Sequence, residues 1–210
     1  MRLIARLLTF FFYHLYHNLA FAYDTVAAIV SFGQWIEWTK TTLPFIQGMR
    51  VLELGHGTGH LQRLLLDLGL FAVGLDESSQ MGHLARRRLL HSGYAHPNLT
   101  RGLGQSLPFP AETFDSIVST FPAPYITEPR TLSEARRILR NGGRLIVLPA
   151  AWPGNPLLKR LYRVTGESPA AALEIVTEKW SQPFVRAGFE IRVEIVEVKS
   201  SVLLLIIATK

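Results

Sequence analysis

The sequence predicts an α/β architecture, with a mostly parallel sheet covered by helices on both faces. Three observations lead there. From residue 50 onward, short apolar runs alternate with longer amphipathic ones, and glycine, proline or polar clusters separate them. That alternation is the signature of strand–helix–strand units. The first junction, Val51-Leu-Glu-Leu-Gly-His-Gly-Thr-Gly-His-Leu61, is an apolar run ending in an acid, then alternating glycines, then an apolar helical pattern. It reads as a buried strand, a tight turn and a helix whose N-terminus faces the turn. Finally, 210 residues with 48% hydrophobic content suffice for one domain with a real core and exclude a disordered chain.

Two helical segments account for residues 1–43, with Phe32-Gly33 as a break between them. In the first, Ile4, Leu7, Leu8, Phe11, Phe12, Leu15 and Leu19 recur at helical spacing among Arg2, Arg6, His14 and His17. This is an amphipathic pattern. The charge-free stretch from Leu7 to Tyr23 is too short and too polar for a spanning helix, which needs about 20 mostly apolar residues. We therefore expect a cytoplasmic protein with a helical cap over residues 1–43, and peripheral membrane contact through residues 1–20 as the membrane-bound alternative. The main domain is expected over residues 44–210.

Pro44 and Gly48 mark the loop before the first strand, Arg50–Leu54. A helix over Leu61–Leu68 is stopped by Gly69, and the second strand follows at Phe71–Leu75. Ser78 can cap a helix over Ser79–His91, and Leu99–Gly102 is a short third strand. Phe114–Thr120 is the fourth strand, ended by prolines at 122 and 124. Thr131-Leu-Ser-Glu134 has capping-box spacing and is expected to open a helix to Arg140. Asn141-Gly142-Gly143 is expected to turn the chain into a fifth strand, Arg144–Leu148. Residues 149–176 are rich in proline and glycine and are expected to be an irregular insertion on the substrate side. Glu190–Val198 and Ser201–Thr209 form an antiparallel pair across a polar turn.

Charge is 22 − 16 = +6, which favours acidic partners. Arg86-Arg87-Arg88 and Arg136-Arg137 are expected to be solvated helix faces. With no cysteine, disulfides, Cys-ligated zinc and thiol nucleophiles are excluded. No metal site is expected.

The chemistry lies at the glycine turn. Gly55, Gly57 and Gly59 let a ligand approach the backbone, and the helix N-terminus offers N–H donors to a carboxylate. A second acid, Asp76, ends the next apolar run. Glycine turn plus acid on the second strand is a nucleoside-binding arrangement. Position 60 is His, so the spacing departs from G-x-G-x-x-G and disfavours a nicotinamide cofactor.

In these motifs the chain resembles class I S-adenosylmethionine-dependent methyltransferases, in particular the group that includes the ubiquinone/menaquinone C-methyltransferases. Glu53-Leu-Gly-His-Gly-Thr-Gly59 resembles that family's first motif, and Asp76-Glu-Ser-Ser-Gln-Met81 its D-x-S-x-x-M segment. Leu107-Pro-Phe-Pro-Ala-Glu-Thr-Phe-Asp115 is similar to its L-P-F-x-x-x-x-F-D run. Glu134-Ala-Arg-Arg-Ile-Leu-Arg-Asn-Gly-Gly-Arg-Leu145 is similar to E-x-x-R-V-L-K-P-G-G-x-L, and Tyr23-Asp24 to a Y-D pair before the core. Their order and spacing together are specific. The resemblance implies a three-layer, Rossmann-like seven-stranded sheet of order 3-2-1-4-5-7-6 with the last strand antiparallel.

It also implies S-adenosyl-L-methionine as cofactor and S-adenosyl-L-homocysteine as product. On that resemblance the cofactor site comprises Tyr23, Glu53, Gly55, His56, Gly57, Gly59, Asp76, Glu77, Met81, Gln105, Ser106 and Thr120. Asp76 would grip the ribose, or serve only as an N-terminal helix charge. Glu53 would hold the ammonium or anchor the loop. Met81 would pack on adenine or fill the core. Gln105-Ser106 stands where the family commonly has Asp-Ala, leaving a neutral acceptor for the adenine amine. His17 and Tyr125 are the catalytic candidates, the first as a base and the second by contact with the cation. Phe121-Pro-Ala-Pro-Tyr125 resembles the Asn-Pro-Pro-Tyr of amine methyltransferases but lacks the Asn, so an N-methyltransferase is poorly supported. The expected function is methyl transfer to a small or lipid-like acceptor, with no nucleic-acid partner. The alternatives are an NAD(P)-dependent oxidoreductase and a non-catalytic S-adenosylmethionine-binding protein.

Overall fold

A computed structural model describes Ala28 and residues 31–152 and 180–210. Residues 1–20 with His14 and His17, the pair Tyr23-Asp24, and residues 153–176 of the expected insertion lie outside the described residues. Helix α1 is Trp35–Lys40, and strand β1 is Arg50–Leu54. Then come α2 (His60–Asp67), β2 (Phe71–Asp76), α3 (Ser79–His91), β3 (Asn98–Arg101) and β4 (Phe114–Thr120). Helix α4 (Pro129–Ile138) leads into β5 (Leu139–Trp152). A helix over residues 180–186, α5, precedes β6 (Glu190–Val198) and β7 (Ser201–Thr209).

The seven strands form one sheet in the order β3-β2-β1-β4-β5-β7-β6. All pairings from β3 to β5 are parallel, and β7 is antiparallel to both its neighbours. β1, β2 and β4 are buried along nearly their whole length, so their sequences run apolar without alternation. One face of the sheet packs Leu52, Leu75, Ile117 and Val147 against Leu132 and Ile138 of α4 and Phe184 of α5. The other packs Val51, Ala72, Val118 and Ile146 against Trp38 of α1 and Leu61 and Leu65 of α2. This is the three-layer sandwich that the resemblance implied. Phe184, fully buried, belongs to the core.

Ser78 caps α3 as expected, its Oγ accepting from Met81 N at 3.3 Å. The expected capping box does not form. α4 starts at Pro129 with Glu128 as N-cap, because proline is preorganised for the first helical position. Thr131 therefore sits inside the helix, and its buried hydroxyl has no hydrogen-bond partner among the described residues. Glu134 instead accepts from Leu107 N at 2.9 Å and pairs with Arg137 at 2.7 Å. Arg137 also donates to the carbonyls of Phe109 and Leu107 at 2.8 and 3.1 Å, so it is not the simple solvated residue expected.

Asn141–Gly143 is likewise drawn into β5 rather than turning before it. Gly142 N donates to Lys210 O at 3.2 Å and Lys210 N to Gly143 O at 3.0 Å, which carries the ladder through a residue at φ 73°. A register shift between Phe114 and Ser116 absorbs the irregularity.

Candidate functional site

After β1 the chain moves to β2 and β3 on one side, and then returns to β4 on the other. That reversal opens a crevice beyond the C-terminal ends of β1 and β4, where open α/β sheets bind ligands. The glycine turn lies in this crevice and is stapled to the end of β2. Gly55 N donates to Leu75 O at 2.8 Å, and Gly57 N to Asp76 Oδ2 at 2.9 Å. Ser78 N donates to Asp76 Oδ1, also at 2.9 Å. Asp76 is only 3% exposed.

Gly55, Gly57 and Gly59 all have positive φ, at 79°, 52° and 82°. Their surroundings differ. A Cβ on Gly57 would meet nothing within 4 Å among the described residues, so none of them fills the space over this stretch of backbone. On Gly59 it would stand 2.9 Å from Ala85 Cβ and 3.0 Å from Ala85 Cα, because the start of α2 lies directly on α3. On Gly55 it would stand 2.8 Å from the Tyr125 hydroxyl.

Glu53 is 2% exposed, and its Oε2 has no hydrogen-bond partner among the described residues. Burial pushes its carboxyl well above the usual carboxylate range. The nearby Asp76 adds to this, and a hydrogen bond with Gln62 opposes it. An orphaned carboxyl oxygen beside a second acid is the complement of a cation with N–H donors. Gln62, the partner that sequence reasoning missed, also donates to Val73 O at 3.2 Å. Its signal was present: a glutamine beside Leu61 on the buried stripe of α2.

His56 is 4% exposed, and its ring lies where a Cβ on Gly74 would be 3.0 Å from its Cδ2. Burial lowers its basicity, while Asp76 and the Gly57 carbonyl, 2.8 Å from Nδ1, oppose the shift. The ring packs between turn and sheet. Met81 is fully buried in the first turn of α3. Thr120 ends β4, half-buried and paired with Leu148. Glu77 is exposed at the end of β2, with its carbonyl accepting from Arg101 Nε at 2.9 Å. Gln105 is turned towards α4, with Nε2 donating to Glu128 Oε2 at 2.9 Å, and Ser106 is exposed beside it.

Tyr125, in the 3-10 turn Pro124–Thr127, brings its phenol to the crevice. Burial raises the phenol pKa, with Asp76, Glu77 and Glu53 adding to it and the neighbouring Ser119 opposing. Phe121, the first residue after β4, takes φ 48° and stacks on Trp35 at 4.2 Å rather than facing the crevice. The structure thus assembles Glu53, the glycine turn with His56, Asp76 and Tyr125.

A hollow of about 660 Å³ lies elsewhere, between α4, α5 and Lys210. Its cations already donate within the protein: Arg137 to Glu134, Arg186 to Gln182, Arg136 to Gly188 O and Lys210 to Leu139 O. The site is placed at the acid-lined turn on chemistry rather than on volume. Among the described residues no cluster of three or more His, Cys, Asp or Glu can hold a metal, and no helix is long and apolar enough to cross a membrane.

Comparison with known proteins matches residues 11–168 to the ubiE/COQ5 methyltransferase family. A demethylmenaquinone methyltransferase of Symbiobacterium thermophilum is 36% identical over 149 residues, covering 66% of this chain and 59% of that protein. A ubiquinone/menaquinone biosynthesis C-methyltransferase of Ectopseudomonas mendocina is 32% identical over 156 residues, covering 70% of this chain and 60% of that protein. The match thus spans about six-tenths of the length of these relatives. Among solved structures, a possible histamine N-methyltransferase of Thermotoga maritima superposes with a TM-score of 0.63. At 22% identity, covering 93% of this chain and 98% of the other, it shares the fold.

Proposed function

This chain belongs to the ubiE/COQ5 methyltransferase family, and on that premise we propose that it transfers a methyl group from S-adenosylmethionine to a lipid-like acceptor of the quinone type. The names of the relatives support the acceptor class. The observation that carries the reading is the unpartnered buried oxygen of Glu53 beside the Asp76-stapled glycine turn.

S-adenosylmethionine supplies a methyl carbon already activated by a sulfonium. The residues of the chain bind and orient. Glu53 Oε2 would take the ammonium, and the open Gly57 backbone lets the amino-acid tail lie close to the turn. Asp76, held rigid by Gly57 N and Ser78 N, would accept the ribose hydroxyls. Met81, fully buried in α3, fills the core, and Gln105, whose Nε2 is spent on Glu128, keeps its carbonyl oxygen as an acceptor for the adenine amine. Tyr23 and His17 remain part of this proposal, as do Thr120, Glu77 and Ser106. Alignment and exclusion of water supply most of the rate in such a displacement.

Isothermal titration tests the cofactor class. S-adenosylhomocysteine should bind and NADP should not, and preference for NADP would end this reading in favour of an oxidoreductase. Binding without turnover across a screen of quinol and small-molecule acceptors would instead favour a non-catalytic binding protein.

Glu53 gives a second readout. Its raised pKa means that the free protein holds a proton there at pH values where an ordinary carboxyl has lost it. A bound ammonium favours the charged form, so the pKa falls and the proton leaves. S-adenosylhomocysteine binding should therefore release protons, seen as a binding enthalpy that varies with the ionisation enthalpy of the buffer. The Glu53→Gln variant should lose that dependence.

Residues 1–20, apolar and basic in sequence, fit a membrane-facing arm for a lipid-like acceptor. Equal liposome flotation of the intact chain and of one lacking them would remove that part.

A further inference from the structure

We infer that Tyr125 is a gate residue, which shares the crevice with the cofactor and must rotate out of it for the cofactor to enter. The inference rests on the cofactor reading above. The Tyr125 hydroxyl stands over Gly55, 2.8 Å from where a Cβ there would be. Its ring lies 3.1 Å from the Cβ position of Gly104, so the loop after β3 closes on its other side. Glycine at 55 and at 104 leaves room for this ring. The acids nearest its hydroxyl end are Asp76, Glu77 and Glu53. A ligand reaching from Glu53 at the end of β1 to Asp76 at the end of β2 has to pass over Gly55. The phenol stands on that path.

The backbone around Tyr125 is pinned. Phe121 N donates to Leu148 O at 2.7 Å, and the Phe121 ring is stacked on Trp35. Ile126, immediately after Tyr125, is fully buried. Movement therefore falls to the side chain, as a change of rotamer that carries the phenol outward. Apparent cofactor affinity is then the intrinsic affinity scaled by the fraction of molecules with the phenol out.

The test is S-adenosylhomocysteine affinity by titration calorimetry and association rate by stopped flow, on the full chain and on Tyr125→Ala and Tyr125→Phe. Tyr125→Ala should bind tighter, by about tenfold, and associate faster, as expected when a competing minor-state equilibrium is removed. Tyr125→Phe keeps the ring, loses the hydroxyl that stands over Gly55 and should fall between wild type and Ala. It is nearly isosteric, so it carries the test even where the Ala variant fails to fold. Weaker or unchanged binding in the folded variants, with wild type binding normally, overturns the gate alone. Failure of every folded form, wild type included, to bind S-adenosylhomocysteine overturns the cofactor reading and the gate with it.

Discussion

Asp76→Ala is expected to lower the affinity for S-adenosylhomocysteine by about a hundredfold or more. Two hydrogen bonds from ribose hydroxyls to a charged acceptor contribute about 1.5–3 kcal/mol each, and every 1.4 kcal/mol or so is tenfold in the dissociation constant. The loss has a second source in the same side chain. Asp76 holds Gly57 N and Ser78 N, both at 2.9 Å, so its removal frees the turn as well as the sugar grip. Asp76 is also among the causes that raise the Glu53 carboxyl. In Asp76→Ala that cause is gone, and any affinity that remains should depend more heavily on Glu53. Calorimetric titration at neutral pH measures the effect, with the thermal midpoint recorded beside it. Unchanged affinity in a folded Asp76→Ala protein would remove the nucleoside site from this crevice.

Gly59→Ala is expected to be the most destabilising small substitution in the turn, by about 2–5 kcal/mol. A left-handed backbone costs an alanine roughly 1–2 kcal/mol, and forcing atoms into a packed contact costs about 1–3 more. The overlap here is with Ala85 Cβ at 2.9 Å and Cα at 3.0 Å, and the Cα belongs to backbone that cannot step aside. Against a typical domain stability of about 5–15 kcal/mol, that is a large fraction. Urea unfolding measures it. Ala85→Gly in the same molecule should recover part of the packing term and none of the backbone term. Gly57→Ala is the control, because its φ is also positive but its Cβ meets nothing within 4 Å among the described residues. It should lose only the backbone term and remain folded. Equal losses at Gly57 and Gly59 would mean that α2 and α3 do not press together as they do here.

These two residues also show why the fold was legible. Where local pattern and tertiary environment agree, element and boundary are read correctly. Phe114–Thr120, Glu190–Val198 and Ser201–Thr209 are observed as they were expected, because buried strands leave continuous or alternating apolar runs between strong turn signals. The misreadings share one cause. Thr131 and Glu134 have the spacing of a cap, but Pro129 starts the helix earlier, and Leu107 N offers Glu134 a tertiary partner. Asn141–Gly143 has the composition of a turn, but Lys210 supplies a partner strand. In each, a hydrogen bond between residues remote in sequence outweighed a local preference worth about 1 kcal/mol.

Sequence alone determined the strand–helix alternation, the glycine turn and the two acids at the ends of β1 and β2, because hydrophobic period and backbone sterics are local properties. Only the tertiary structure decided which groups those acids face. It joined Leu107–Phe109 to α4 through Glu134 and Arg137, turned Gln105 to Glu128, buried His56 against Gly74 and brought Tyr125 over Gly55. Such contacts connect residues far apart in the chain. They depend on how the layers pack, which no window of sequence contains.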